Sequence, residues 1–271
     1  MPNRYQLGVC SWTFGDLPLE EIARRVRALE LDGVELLGDL EAYRPREAGR
    51  ILQDFGLSVF SLTPADVDLA HPDSVVRSKA IDYYLRLLDF AAALDRPLVA
   101  CHGQVGRVRA VHSQAEEYAL FVAAVRQVAE RAQEYGLRLV MEVLNRYEAH
   151  ILNTAVEAVQ FVADVGAGNV GILLDAYHMN IEESNPVEAL RQVGDRLWLY
   201  HAADSNRQGI GRGHTDFNGQ LAALGEIGYQ GPVILECTAP GPDPFTPIKG
   251  EDSLTWLETY LRESRDWLLG A

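Results

Sequence analysis

Residues 137–175 read LRLVMEVLNRYEAHILNTAVEAVQFVADVGAGNVGILLD and decide the fold. Two short apolar runs, LRLVMEV (137–143) and VGILLD (170–175), stand at its ends, and polar residues follow the first run abruptly. Each run is typical of a buried strand, because it is short and rich in branched aliphatic residues. Similar runs occur six more times along the chain, at LGVCSW (7–12), GVELL (33–37), LSVFSL (57–62), PLVACH (97–102), LWLYH (197–201) and PVILE (232–236).

Longer amphipathic segments separate these runs. Apolar residues recur at intervals of three and four, which predicts helices, in PLEEIARRVRALE (18–30), DSVVRSKAIDYYLRLLDFAAALD (73–95) and EEYALFVAAVRQVAERAQEYG (116–136). Strands that alternate with helices form parallel pairs joined by right-handed crossovers. Eight such units predict an α/β fold, a single-domain (β/α)8 TIM barrel over residues 1–271. The alternative, a doubly wound sheet, usually has fewer strands, and no GxGxxG motif follows the first strand.

The composition restricts the class of ligand. The chain is 48% hydrophobic and 23% charged, and its formal net charge is −15. This acidic surplus disfavours nucleic acid and anionic membranes as partners, because binding to phosphate groups requires Lys and Arg. We therefore expect a small-molecule ligand.

The sequence also bears on location. No stretch resembles a signal peptide or a membrane span, so the expected location is the cytoplasm. Cys10, Cys101 and Cys237 show no zinc-binding spacing, and we interpret them as reduced packing residues.

The carboxyl ends of the predicted strands carry polar and aromatic side chains, which is where functional residues lie in a (β/α)8 barrel. At these positions the sequence has Trp12, His102, Glu142, Asp175, His201 and Glu236. The last four end strands five to eight, which are neighbours around the ring. Three carboxylates and one imidazole directed at one point would form a divalent-metal site. The alternative for each of them singly is a helix cap or a solvated residue at the rim.

Several longer motifs carry a resemblance to a known family. These are EVLNRYEAHILNTA (142–155), LLDAYHMNIEE (173–183), YHAADSNRQGIGRGHTDF (200–217) and GYQGPVILE (228–236). In this order they resemble the strand-end motifs of the xylose-isomerase-like sugar isomerase/epimerase superfamily, and within it the ketose 3-epimerases typified by D-tagatose and D-psicose 3-epimerase. The resemblance covers nearly the whole chain and is densest from residue 137 onward.

The resemblance implies roles for particular residues. Glu142, Asp175, His201 and Glu236 match the family's metal ligands, and Glu142 and Glu236 double there as the proton-transfer pair. A second set matches its substrate-binding positions: Glu148, His178 and Arg207. The family reaction is metal-dependent epimerisation of a free ketose at C3 through a cis-enediolate. We expect one divalent ion per chain, with Mn²⁺ as first choice and Co²⁺ or Mg²⁺ as alternatives.

Two further side chains are expected to lie close to this centre. Trp12 either forms an apolar wall against the sugar carbons or packs in the core. Cys237 follows Glu236, and alternation along a strand predicts that its side chain turns away from the metal.

The first half of the chain departs from the epimerases. Strand four ends in CHGQVGR (101–107) instead of a glycine-rich segment, and we expect His102, Gln104 and Arg107 to reach toward the barrel mouth. His102 either contacts substrate or satisfies a buried hydrogen bond. No cluster of Lys and Arg resembles a phosphate cradle, which favours a free monosaccharide. The Pro-rich stretch TAPGPDPFTP (238–247) is interpreted as a lid or a subunit contact, and we expect a homodimer or homotetramer.

Other activities are compatible with the same metal site. They are those of an aldose-ketose isomerase, an inosose dehydratase-like lyase or an enzyme that acts on a 3-keto-glycoside. An apurinic-site endonuclease would need more strand-end histidines and a basic groove, and this acidic chain has seven histidines in all. A non-catalytic sugar-binding barrel is the remaining alternative.

Overall fold

Eight parallel strands close a barrel in the order of the chain. The structure is a computed structural model that describes residues 5–102, 105–240 and 245–270. The strands are β1 (Leu7–Cys10), β2 (Gly33–Leu37), β3 (Ser58–Thr63), β4 (Leu98–Cys101), β5 (Leu139–Glu142), β6 (Val170–Asp175), β7 (Leu197–Ala202) and β8 (Val233–Leu235). Strand β1 pairs with both β2 and β8, which closes the ring.

Helices connect the strands and cover the outside of the barrel. They are α1 (Leu19–Ala28), α2 (Pro45–Asp54), α3 (Ser74–Ala92), α4 (Gln114–Glu134), α5 (Ala155–Val165), α6 (Ala176–Glu182), α7 (Pro186–Val193), α8 (Phe217–Glu226) and α9 (Glu251–Gly270). Short 3-10 helices occupy Ser11–Phe14 and Gly194–Arg196. Helix α5 shows how the sequence sets such boundaries, since Thr154 and Glu157 form a capping box at its start and Gly166, at φ 70°, ends it.

The barrel interior is a separate apolar layer. It contains Cys10, Leu98, Ala100, Val140, Leu173, Leu199 and Ile234, with Trp12, Phe60 and Trp198 packed against them. A larger apolar cluster lies between the strands and the surrounding helices. The filled interior makes the barrel a rigid support and leaves the strand ends to provide binding surfaces.

The predicted (β/α)8 barrel is confirmed, and most predicted strands match within two residues. The first strand was predicted to run to residue 12, but it ends at Cys10 and a 3-10 helix follows. Trp12 therefore lies on this 3-10 helix and not on the strand itself. Across the described ranges, every helix is too short or too polar to cross a lipid bilayer.

The close contact between β2 and β3 leads to the first prediction. A Cβ atom at Gly33 would lie 2.3 Å from the backbone oxygen of Ser58 and 2.7 Å from the ring of Phe60. We expect Gly33→Ala to lower the free energy of unfolding by about 2–3 kcal/mol, since backbone must move to accept the methyl group. Urea denaturation followed by circular dichroism measures this. In the control Gly168→Ala the methyl group enters open space, and equal stability losses in the two variants would contradict the packing described.

Candidate active site

The four predicted metal ligands all lie at the carboxyl end of the barrel. Glu142 and Asp175 are the last residues of β5 and β6, His201 lies one residue before the end of β7, and Glu236 directly follows β8. All four are buried. Polar groups so deeply placed require partners, because burial without them is costly.

Three of these side chains converge directly. His201 Nδ1 lies 3.0 Å from Glu236 Oε2 and 4.0 Å from Glu142 Oε1. Ligand atoms held at ~2.1 Å by one cation are about 3 Å apart, so the spacing of His201 and Glu236 suits a shared ion, and Glu142 lies about 1 Å too far from His201. The indole Nε1 of Trp12 donates to Glu236 Oε1 at 3.2 Å and orients this carboxylate.

Asp175 joins the cluster through a cation of the chain itself. Its Oδ1 accepts from the backbone N–H of Tyr177 and caps α6, as the alternative interpretation expected. Its Oδ2 accepts from Arg207 at 2.6 Å, and the same guanidinium lies 2.9 Å from Glu236 Oε2. Arg207 therefore bridges Asp175 and Glu236, and both carboxylate oxygens of Asp175 already accept a hydrogen bond.

The loop after β7 holds Arg207 in a fixed conformation. Arg207 has a φ of 62°, in the left-handed region that is costly for a non-glycine residue. Its backbone N–H donates to the carbonyl of Asp204 at 2.7 Å. The buried Asp204 carboxylate accepts from the backbone N–H groups of Ser205, Gly211 and Thr215. These bonds tie the loop into one unit and offset the strain at Arg207.

The sequence analysis missed a fifth buried acid, Glu35, in the middle of β2. Glu35 is 1% exposed. It accepts from Ser61 Oγ at 2.5 Å and from Thr63 Oγ1 at 2.6 Å, and lies 3.1 Å from His201 Nε2. The signal was an acidic residue inside the apolar run GVELL, which is rare unless the side chain is paired.

The pKa values of Glu142 and Glu236 are shifted in opposite directions. Burial, and then the charge of Glu236, raise the pKa of Glu142 well above 4.5. Burial acts the same way on Glu236, but Arg207 and His201 outweigh it and hold the pKa of Glu236 well below its usual range. Burial lowers the pKa of His201, yet the charges of Glu35 and Glu236 raise it well above 6.5. A positive charge is therefore favoured at the centre of the cluster.

A second group of side chains meets beside the first. Asn145 is buried, and its amide Nδ2 donates to Glu148 Oε1 at 2.8 Å and contacts His178 Nδ1 at 2.7 Å. His178 Nε2 lies 3.5 Å from Asp175 Oδ2. Burial lowers the pKa of His178 to about 4, so the ring is neutral near pH 7. Since the amide donates to Nδ1, the ring proton lies on Nε2, toward the acidic cluster. Asn145 was not identified from the sequence.

A cavity of about 240 Å³ opens over both groups. Its lining includes Trp12, His102, Glu142, Glu148, His178, Arg207 and Glu236, so seven of the nine predicted site residues meet in one cavity. Leu37, Asp66 and Phe245 complete parts of its wall, and Phe245 stacks on Trp12 with ring centroids 5.7 Å apart. Asp175 and His201 do not line the cavity. They are 0% and 1% exposed and contact the lining residues Arg207 and Glu236 respectively.

The loop after β4 differs from its sequence interpretation. His102 lines the cavity, is 6% exposed and has an Nδ1 atom without a hydrogen-bond partner among the described residues. The prediction that Arg107 reaches the mouth is wrong, because Arg107 forms ion pairs with Asp68 at 2.8 Å and Glu117 at 2.5 Å. Gln104 lies outside the described residues, as do residues 241–244 of the Pro-rich stretch.

The cysteines divide between the site and the surrounding shell. Cys10 lies with His201 and Glu236 in a group whose possible ligand atoms are all within 4.8 Å of one another. The interpretation of Cys10 as a packing residue alone is therefore incomplete. Cys237 Sγ instead contacts Ser264 Oγ on α9 at 3.9 Å, so its predicted orientation away from the cluster is confirmed.

The donor types at the strand ends are those that a divalent cation binds, and two of the four predicted ligands, His201 and Glu236, belong to the group of ligand atoms within 4.8 Å of one another. Carboxylate oxygens from Glu142, Asp175 and Glu236 and one imidazole nitrogen from His201 are ligands that Mn²⁺, Co²⁺ and Mg²⁺ accept. Two observations support this fit: the 3.0 Å approach of His201 Nδ1 to Glu236 Oε2, and the elevated pKa values of His201 and Glu142. Both indicate a place where added positive charge lowers the energy.

Comparison with known proteins gives a consistent family. A sequence model of xylose isomerase-like TIM barrels matches residues 23–269. Over 180 residues the chain is 37% identical to the D-psicose 3-epimerase of Agrobacterium fabrum, and the match covers 62% of this chain. It covers 60% of that relative, less than two thirds of its length.

Solved structures are similar over nearly the full chain. D-psicose 3-epimerase with D-tagatose from Clostridium cellulolyticum has a TM-score of 0.87 at 25% identity, over 98% of both chains. The apo form of 3-keto-D-glucoside 4-epimerase from Escherichia coli has a TM-score of 0.85 at 25% identity, over 98% of this chain and 100% of that one.

The amide of Asn145 leads to the second prediction. We expect Asn145→Ala to lower the free energy of unfolding by about 1–3 kcal/mol, because His178 and Glu148 lose a buried donor. Thermal and urea denaturation measure this. The control Asn218→Ala changes an exposed residue of α8 and should alter stability by less than about 0.5 kcal/mol. An unchanged stability of Asn145→Ala would contradict the buried network.

Proposed function

Because the chain belongs to the xylose isomerase-like TIM barrel family, we propose that it is a metal-dependent ketose 3-epimerase that acts on a free monosaccharide. The observation that carries this proposal is the position of two buried glutamates, Glu142 and Glu236, which line one cavity from β5 and from the end of β8. Strands β6 and β7 separate them around the barrel. A sugar held between them presents opposite faces of one carbon to the two carboxylates.

The proposed reaction needs two proton-transfer groups. One glutamate removes the proton from C3, and the electron pair moves onto the neighbouring C2 carbonyl to give a cis-enediolate. The other glutamate delivers a proton to the opposite face of C3, which restores the ketose with inverted configuration. Each residue serves as acid or base according to the epimer bound. Their contrasting pKa shifts are in keeping with a pair that holds one proton.

A divalent cation is part of the proposal. Glu142, Asp175, His201 and Glu236 would hold it, with Mn²⁺ as first choice and Co²⁺ or Mg²⁺ as alternatives. When bound, such an ion polarises the substrate carbonyl and stabilises negative charge as it develops. The buried, hydrogen-bonded setting of these four side chains supports their role as preorganised ligands.

The remaining lining residues are proposed to bind the sugar. Glu148 accepts hydrogen bonds from hydroxyl groups near C1, and His178 donates through Nε2, since Asn145 occupies its other nitrogen. Arg207 donates to sugar oxygens and keeps Asp175 and Glu236 in place. Trp12, together with Phe245, provides an apolar wall and aligns Glu236.

His102 is proposed to recognise a hydroxyl group of the substrate. Its ring is 6% exposed, and its Nδ1 lacks a partner among the described residues, so a ligand that supplies one would relieve a cost of about 1–3 kcal/mol. Burial lowers the pKa of His102, which keeps the ring neutral. A neutral ring on the same wall as Asp66 favours a hydroxyl over a phosphate dianion, and supports a free sugar as substrate.

We also propose a cellular location, and the oligomeric state is considered with it. A cytoplasmic location agrees with the reduced, buried state of Cys10, Cys101 and Cys237. The expected homodimer or homotetramer stays a prediction. The exposed side chains of Phe245 and Ile248, which follow β8, are compatible with a subunit contact.

The reaction itself gives the third prediction. Protein loaded with Mn²⁺ and incubated with D-tagatose, D-fructose or L-ribulose in deuterated water should incorporate deuterium at C3, as measured by proton NMR. Glu142→Gln and Glu236→Gln should each reduce exchange by about 10²–10⁴-fold, since an amide does not transfer the proton. The control Glu188→Gln alters an exposed residue of α7 and should leave the rate unchanged.

The products of this assay separate the alternatives. An aldose would indicate an aldose-ketose isomerase, loss of water a lyase, and exchange only with a 3-keto-glycoside the corresponding epimerase. Sugar binding that survives both Gln substitutions without any turnover of the unmodified protein would indicate a binding barrel. Absence of exchange with every ketose and every metal would contradict the proposal.

The role of His102 gives the fourth prediction. His102→Phe keeps a ring but removes both nitrogens, so kcat/KM for a ketohexose should fall about 10-fold. The same comparison is made with ketohexoses that lack the hydroxyl at C4, C5 or C6. For one of these sugars His102→Phe should lower kcat/KM only slightly, because the hydroxyl that His102 recognises is already missing. The equal loss of kcat/KM for the parent sugar and for every deoxy sugar would contradict hydroxyl recognition by His102.

A further inference from the structure

We propose that Glu35 is a positioning residue that fixes the imidazole of His201 with its proton on Nε2, so that Nδ1 is free to bind the catalytic cation. This inference rests on the proposed function, because it concerns the affinity of the same site for a divalent metal. It assigns a role to a buried acid on β2, on the side of His201 that faces away from Glu142 and Glu236.

The contacts of Glu35 make it an acceptor toward His201. Ser61 Oγ at 2.5 Å, Thr63 Oγ1 at 2.6 Å and Cys10 Sγ at 3.7 Å surround its two oxygens. Hydroxyl and thiol groups donate to an ionised carboxylate, which itself only accepts. His201 Nε2, 3.1 Å from Glu35 Oε2, must then carry a proton in order to form a favourable contact.

The backbone places Glu35 for this contact. The register between β2 and β3 shifts between Val34 and Glu35, so that Glu35 lies opposite Ser61. Such irregularities change the direction of a side chain relative to the regular strand. Ser61 and Thr63 then hold both carboxylate oxygens, which leaves Glu35 little freedom to rotate away from His201.

The consequence appears at the opposite nitrogen of the ring. When Nδ1 binds a cation, His201 carries its single ring proton on Nε2, where Glu35 Oε2 accepts it at 3.1 Å, and Nδ1 faces Glu236 Oε2 at 3.0 Å. Without Glu35, the other neutral tautomer is favoured, because a proton on Nδ1 can be donated to Glu236. That proton occupies the position of the metal bond and must be displaced, at a cost in affinity.

Metal affinity tests this role directly. Isothermal titration of the metal-stripped protein with Mn²⁺ should give a dissociation constant about 10–100-fold larger for Glu35→Met than for the unmodified protein. Glu35→Gln keeps an acceptor oxygen for Nε2–H and should lose less than about 10-fold. The milder Ser61→Ala and Thr63→Val should each weaken binding by a few fold, because they release Glu35 without removing it.

A matched control separates positioning from stability. Glu117 is also fully buried and lies 2.8 Å from a histidine, His150 Nε2, but away from the cavity lining. Glu117→Met should lower the unfolding temperature and leave the dissociation constant for Mn²⁺ unchanged. A loss of affinity that follows unfolding temperature across Glu35→Met and Glu117→Met alike would overturn the positioning role.

The tautomer has its own spectroscopic signature. Nitrogen-15 spectra of histidine-labelled protein with Mg²⁺ should show His201 protonated on Nε2 in the unmodified protein and in Glu35→Gln, and a changed nitrogen pattern in Glu35→Met. Equal Mn²⁺ affinity of the unmodified protein and Glu35→Met would refute this inference while leaving the proposed function intact. Failure of the unmodified protein to bind any divalent metal would instead refute the proposed function.

Discussion

The site depends on the mutual repulsion of buried acids. Glu35, Glu142, Asp175 and Glu236 are each at most 7% exposed and lie at one end of one barrel. Carboxylates so close together and so far from water cannot all be ionised unless positive charge lies among them. The guanidinium of Arg207 supplies part of that charge, between Asp175 and Glu236. A divalent cation beside His201 would supply the rest and convert a costly arrangement into a catalytic one.

The barrel makes this concentration of charge possible. Parallel strands bring their carboxyl ends to the same rim, so residues that are distant in sequence become neighbours. Asp175 pairs with His201 between β6 and β7, which places these two site residues side by side. An apolar interior lies below them, where Leu173, Leu199 and Ile234 are completely buried. This packed layer supports the strand ends that carry the charged residues. The stability of the fold therefore resides in one layer and the chemistry in another.

The sequence was sufficient for the fold and for the residues that follow apolar runs. Glu142, Asp175, His201 and Glu236 each interrupt or follow a strand pattern, and such positions can be identified from one sequence. Glu35 was missed because it lies inside its strand, where the rule for strand ends does not apply. Asn145 was missed because only the fold reveals that it contacts His178, 33 residues later.

The error at Arg107 has a related cause. Its partner Asp68 is 39 residues earlier in the chain, so the ion pair that withdraws it from the mouth depends on how two loops approach each other. Periodicity and spacing carry no information about such an approach. Local patterns therefore predict on which strand or loop a residue lies, and tertiary contacts determine which groups its side chain reaches.

The most direct measurement is the anomalous X-ray diffraction of crystals soaked with Mn²⁺ and a ketose. The account predicts one peak per chain at the barrel mouth, within bonding distance of Glu142, Asp175, His201 and Glu236, with the sugar between the two glutamates. A metal held by Cys10, His201 and Glu236 without Asp175 and Glu142, or no peak at the mouth, would contradict it.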